Sequence, residues 1–195
     1  MNGFQRRREQ KEKAILQAAL TLSMKAGIQK VSVAQIAEKA NVSQVTIFNY
    51  FESKDNLIQA VLKYYVDQVW DEQRKLIDSD LPFTDKIKQM IFNESDYAKN
   101  IHEEFFQYLM KDYVNGKSYI EELYINEGIP RILALFNEGK EQGLVNPNLS
   151  DEAILFYLQM FKEYLQRQDV APTVLPIAEE LTNLFFFGIV GKREE

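Results

Sequence analysis

The sequence predicts an all-α chain, on three observations. Apolar residues recur at three- and four-residue spacing in segment after segment, with no convincing alternation of period two. Clear breaks divide these segments at Leu81-Pro82, Asn115-Gly116, Asn146-Pro147-Asn148 and Ala171-Pro172. Near the start, two very short segments each carry their own capping signals. The 195 residues, 46% hydrophobic and 27% charged, hold enough apolar material for a sizeable core and suggest one domain or one domain with a small module.

In the first segment Ile15, Ala18, Ala19, Leu22 and Ala26 form one stripe, and Gly27 stops the helix as a left-handed residue would. Arg6, Arg7 and Arg8 precede that stripe. They read either as a basic arm for a minor groove or, in preference, as a frayed and solvated terminus.

After Gly27, Ser32 with Gln35 makes a capping box, and Val31 with Ile36 makes its hydrophobic staple. A helix is predicted from about residue 33, with Ile36, Ala37 and Ala40 inside. Asn41 tolerates the left-handed conformation of a turn. Ser43 caps a second short helix, stapled by Val42 and Ile47, and Ser53 caps the next. Two helices of about two turns separated by Asn41 to Ser43 have the spacing of a helix-turn-helix. A helix entering a major groove needs only its first turns to reach base edges. Gln44, Thr46 and Asn49 supply polar positions for that task, while Ile47 and Phe51 point inward and Phe48 and Tyr50 lie towards the edge. An ordinary helical hairpin with a solvated polar face remains the alternative.

Charge is divided unevenly. The whole chain carries a net charge of −6, which taken alone argues against nucleic acid. Residues 1–62 hold nine Lys/Arg against five acids, for +4, and the remaining 133 residues carry −10. A basic end that meets a polyanion and chance scatter of surface charge both fit that asymmetry. The absence of cysteine excludes disulfides, thiolate metal sites and cysteine nucleophiles, the single histidine, His102, argues against a histidine-rich metal site, and no cofactor is expected. No nucleophile signature accompanies His102, so the chain is not read as an enzyme. No run of 18 apolar residues and no signal peptide appear, and the expected location is cytoplasmic.

Beyond the short helices, the breaks predict helices at roughly 64–78 (continuing from 54), 84–98, 101–114, 118–142, 151–168 and 173–190. Residues 151–168 place Ile154, Leu158, Phe161 and Leu165 on one stripe, and the last helix is apolar most of the way round. Such a helix is buried on more than one side. The expectation is a two-fold homodimer whose last two helices form a four-helix bundle, with Leu158, Phe161, Leu165, Leu181, Leu184, Phe185 and Gly188 in the interface. Burial wholly within one subunit is the alternative. The middle helices are rich in aromatics, and such stripes usually form plain core.

The segment KAILQAALTLSMKAG, then SVAQIAEKANVS, then QVTIFNYFESKDNL resembles the DNA-binding domain of TetR/AcrR-family transcriptional regulators, over about a third of the chain. The resemblance implies an N-terminal three-helix helix-turn-helix DNA-binding domain (residues 9–69, motif 32–51) plus a C-terminal helical ligand-binding and dimerisation domain (residues 70–195). It implies phosphate contacts at Thr46, Tyr50 and Lys54, base-edge contacts at Gln44, Val45 and Asn49, and a backbone contact at Ser32. Phe48 stands where tyrosine is more usual, Val33 where threonine is common and Asn41 where glycine is common. In such proteins the body often encloses an apolar pocket, for which Phe105, Tyr108, Leu109, Tyr124, Phe136 and Phe161 are loose candidates.

The expected function is therefore a ligand-responsive repressor that binds a palindromic double-stranded DNA operator as a homodimer and responds to a small apolar or aromatic inducer. The alternative keeps the DNA attachment but has the body bind another protein. Repressor and activator are not distinguished by the residues, because the sign depends on where the operator lies.

Overall fold

The computed structural model describes residues 3–114, 118–165, 167 and 170–190. Every regular element among them is helical, with no strand: α1 (Gly3–Ala26), α2 (Val33–Ala40), α3 (Gln44–Phe51), α4 (Lys54–Ile77), α5 (Phe83–Asn100), α6 (Glu103–Val114), α7 (Tyr119–Leu123), α8 (Ile129–Glu141), α9 (Asp151–Leu165), α10 (Ala171–Val174) and α11 (Ala178–Val190). None of the described helices is long and apolar enough to cross a membrane. The chain forms two compact units, one of residues 1–69 with 101–106 and one of residues 70–100 with 107–195.

In the first unit α1 packs on α2 and α2 on α3. Its buried residues include Ile15, Ala18, Ala19, Ile36, Ala37, Ile47, Phe51, Leu57, Val61 and Leu62. The short helices begin where capping chemistry starts them. Ser32 accepts the Gln35 N–H while the Gln35 side chain accepts the Ser32 N–H at 2.8 Å, a complete capping box. Ser43 accepts the Thr46 N–H at 3.0 Å, and Ser53 accepts the Asn56 N–H at 3.1 Å. Between α2 and α3, Asn41 adopts φ 53°, ψ 49°, the left-handed turn expected of it.

Helix α1 departs from expectation. It starts at Gly3, so Arg6, Arg7 and Arg8 are helical rather than a coil before the helix. Arg, Glu, Gln and Lys are good helix formers, and the run RRREQKEK carries the helix where apolar periodicity gives no signal.

The second unit is built on α5, which packs against α8 and α11, with α9 on α8. Ile77, Phe83, Ile87, Met90, Ile91, Leu135, Phe136, Val145 and Ile154 form its core. Gly139 sits at the tightest point: a Cβ there would stand 2.6 Å from Val145 and 2.8 Å from the Phe83 ring. The single helix predicted over 118–142 is interrupted by a π turn at Tyr124–Gly128. Pro130 supplies the cause. It has no N–H for the Asn126 carbonyl, and its ring crowds that carbonyl, so the coil widens and the Ile129 N–H reaches back five residues to Tyr124 O. Pro176 acts similarly near the end, where a 3-10 turn (Leu175–Ile177) separates α10 from α11.

Candidate nucleic-acid interface

Helix α3 buries Ile47 and Phe51 and leaves Gln44, Val45, Phe48 and Asn49 exposed. At about 100° per residue, Asn49 lies opposite the buried side, with Val45 and Thr46 beside it. Val45 is 67% exposed and Phe48 44%. Phe48 therefore flanks the open side, at the edge between it and the buried face.

The groups expected to meet phosphates are already engaged within the unit, to different degrees. The Ser32 hydroxyl donates to Gln35 Oε1 at 3.0 Å while accepting the Gln35 N–H, so its one proton is committed to the cap. Thr46 Oγ1 and Ser43 Oγ lie 2.8 Å apart, and if Ser43 donates, the Thr46 proton stays available. Lys54 is half-buried at the start of α4 and donates from Nζ to the Gln29 carbonyl at 3.2 Å, which leaves two of its three N–H groups. The Tyr50 hydroxyl donates to the Arg8 carbonyl at 3.2 Å, and the Arg8 guanidinium carbon lies 5.7 Å from the Tyr50 ring centre.

Residues 101–106 complete this unit. The imidazole Nδ1 of His102 accepts the Glu104 N–H at 3.1 Å, capping α6. The Glu104 carboxylate accepts the Gln29 N–H at 3.2 Å. Phe105 is fully buried and meets Tyr65 edge-on, with ring centres 5.3 Å apart. Lys54 and Glu104 thus hold the carbonyl and the N–H of the same residue, Gln29.

The six residues proposed for a pocket do not form one lining within a unit. Phe105 belongs to the first unit; Tyr108, Leu109, Tyr124, Phe136 and Phe161 belong to the second. Phe136 is fully buried in the second core. Phe161 stacks edge-on with Tyr157 at 5.1 Å. Burial raises the Tyr124 phenol above its ordinary pKa.

On α9, one side of the expected stripe is turned towards its own unit. Ile154 is buried in the core of its own unit and Leu158 packs against that core. Among the described residues, the large hydrophobic side chains that α9 leaves exposed are Phe156, Met160 and Tyr164, at four-residue spacing. Leu184 and Phe187 are exposed on α11, and Leu181 is half-buried. The side chains of Leu165 and Phe185, and the surroundings of Gly188, lie outside what is described.

Comparison with known proteins fits this geometry. Residues 15–61 match the family model described as bacterial regulatory proteins, tetR family. Over 53 residues the chain is 45% identical to an uncharacterized HTH-type transcriptional regulator, YvkB, of Bacillus subtilis; the match covers 27% of this chain and 28% of that relative. Two solved structures share the fold at low identity. One is a TetR transcription regulator from Haloarcula marismortui (TM-score 0.66, 15% identity, 92% of this chain and 98% of that one). The other is the transcriptional regulator FadR from Bacillus subtilis in complex with stearoyl-CoA (TM-score 0.60, 16% identity, 91% of this chain and 98% of that one). These relatives are named as regulators, not as enzymes. The N-terminal unit of this chain is a helix-turn-helix domain of the tetR family.

Proposed function

We propose that this chain is a sequence-specific DNA-binding transcriptional regulator, a repressor that grips a palindromic operator as a homodimer and releases it when a small apolar or aromatic ligand binds. The observation that carries the reading is the open side of α3. Gln44, Val45, Phe48 and Asn49 remain uncovered although two of them are apolar, on a helix whose first turn is fixed by the Ser43 cap. Gln44 and Asn49 each offer a donor and an acceptor, as an adenine edge requires. Val45 and Phe48 suit thymine methyls. Lys54, in the first turn of α4, keeps donors for a phosphate that the helix dipole also favours.

Homodimerisation is supported by the exposed stripe Phe156, Met160, Tyr164 with Leu184 and Phe187. Joining two reading heads makes the second contact effectively intramolecular and sets the half-site separation. Ligand response is supported by Gln73 on α4. Its side-chain amide is buried and neither polar atom has a partner among the described residues, so it is available to a ligand's polar group. A ligand of this kind weakens DNA binding only by its differential affinity for two states.

The test is selection of bound duplexes from a random DNA pool, repeated with a panel of metabolites. Enrichment of an inverted repeat, with binding lost as one compound is added, is the expected result. Recovery of no enriched sequence overturns the proposal.

A further inference from the structure

Arg6, Arg7 and Arg8 are three consecutive cations, and the contacts proposed for α3 and Lys54 make no use of their charge. They lie within α1, which begins at Gly3 and has no acidic residue in its first turn. All three are exposed. Among the described residues none of the three has a carboxylate within ion-pair distance. The segment is also fixed in place. Tyr50, in the last turn of α3, donates its hydroxyl to the Arg8 carbonyl at 3.2 Å, and the Arg8 guanidinium lies over the Tyr50 ring.

We infer that the first turns of α1 are a second DNA-contacting element, with Arg6, Arg7 and Arg8 meeting backbone phosphates that flank the base pairs read by α3, and with Tyr50 as the positioning residue that holds them there. The inference rests on the proposed DNA binding of α3 and extends its footprint. An arm of disordered coil would have to be ordered when DNA binds. A helical segment already pinned to α3 has met that cost on folding. Consecutive helical residues fan out by about 100° each. The three guanidiniums therefore follow a curved line of charge better than they could converge on one base edge. Their contribution is independent of sequence and dependent on salt, because each phosphate contact releases condensed counterions. This assigns Tyr50 a different task from the phosphate contact that the resemblance implied, since its only proton is given to Arg8 O.

The experiment uses the full chain and a duplex selected from a random pool, in two lengths: trimmed to the two half-sites, and extended by several base pairs at each end. The variant Arg6→Gln/Arg7→Gln/Arg8→Gln keeps helix propensity while removing the charge. The parent is expected to bind the extended duplex more tightly than the trimmed one. In the variant that preference disappears and the slope of log affinity against log salt falls by about two to three per protomer, with base preference unchanged. Tyr50→Phe keeps the ring and removes the hydroxyl, and it is expected to reduce the preference for the extended duplex while the melting temperature stays at the parent value. A triple variant with the parent's salt slope and length preference overturns the inference alone. A parent that selects no duplex overturns it together with the proposed function.

Discussion

Glu104 and Gly27 share one volume: the Glu104 carboxylate lies where a side chain on residue 27 would stand, with the His102 ring beside it. Gly27 is also left-handed, at φ 86°, where an L side chain is strained. Gly27→Ala therefore meets a backbone penalty and a collision, and it is expected to cost about 1–3 kcal/mol. Urea denaturation measures this. Adding Glu104→Ala removes the collision but not the backbone strain, so the double variant is expected to be more stable than the two single losses added together. Strict additivity would show that the two residues do not meet.

The two kinds of DNA contact separate by their salt and sequence dependence. Lys54→Ala is expected to weaken binding to all duplexes similarly and to flatten the salt slope by about one. Gln44→Ala is expected to relax preference at one base pair, by about 1–3 kcal/mol, with the slope unchanged. Titration of the selected duplex and its point variants at several salt concentrations checks both. Parent-like binding in both variants would remove α3 and the start of α4 from the interface.

The first unit was legible in the sequence because its helices are started and stopped by local chemistry. Ser32, Gln35, Asn41, Ser43 and Ser53 each act within four residues of their partners, a range over which sequence reports geometry. Departures arise where longer-range partners decide. Nothing local says that residues 101–106 join the first unit, because Glu104 is 75 residues from Gln29. The α9 stripe is ambiguous for the same reason. Ile154 and Leu158 have helical spacing, but spacing does not say whether the other side of the contact is the chain's own core, where the structure places both, or a second chain. The π turn was legible in principle, since Pro130 announces a missing donor within a helical run. The arginine-rich start of α1 was invisible to apolar periodicity because it has no apolar stripe.

Gly139 tests the packing of the second unit. Its absent side chain lets the Phe83 ring and Val145 close on α8. Neither neighbour can yield easily, because both belong to the buried core. Gly139→Ala is expected to destabilise the chain by about 1–3 kcal/mol through overpacking, although alanine is the better helix former. A stabilised variant in thermal denaturation would show that the contact is loose.

Gln73 offers a test in which removing a polar group is expected to help stability. It is only 7% exposed, and neither polar atom of its amide has a partner among the described residues. An unmade hydrogen bond of this kind costs about 1–3 kcal/mol in desolvation. Gln73→Leu keeps similar volume and is expected to raise the midpoint of denaturation. If the amide is retained for a ligand, the same variant holds its duplex at compound concentrations that release the parent. A variant less stable than the parent would mean that Gln73 makes a favourable contact and is not an orphan.

The exposed stripe on α9 distinguishes an intersubunit role from a core role. Phe156 is 68% exposed and Leu184 63%, whereas Ile154 is 1% exposed. Phe156→Glu/Leu184→Glu should leave the fold intact, because neither side chain is buried in its own unit. It is expected to reduce the solution mass to 22.8 kDa by sedimentation equilibrium, and to lower operator affinity steeply as the second reading head becomes independent. Ile154→Ala is expected to do the opposite: to cost about 2–4 kcal/mol of stability by opening a cavity beside Leu135 and Phe136 while leaving the mass of the folded species unchanged. Should the double glutamate variant keep the parent's mass, the exposed sides of α9 and α11 are not where two copies meet, and the spacing of the reading heads must be set elsewhere.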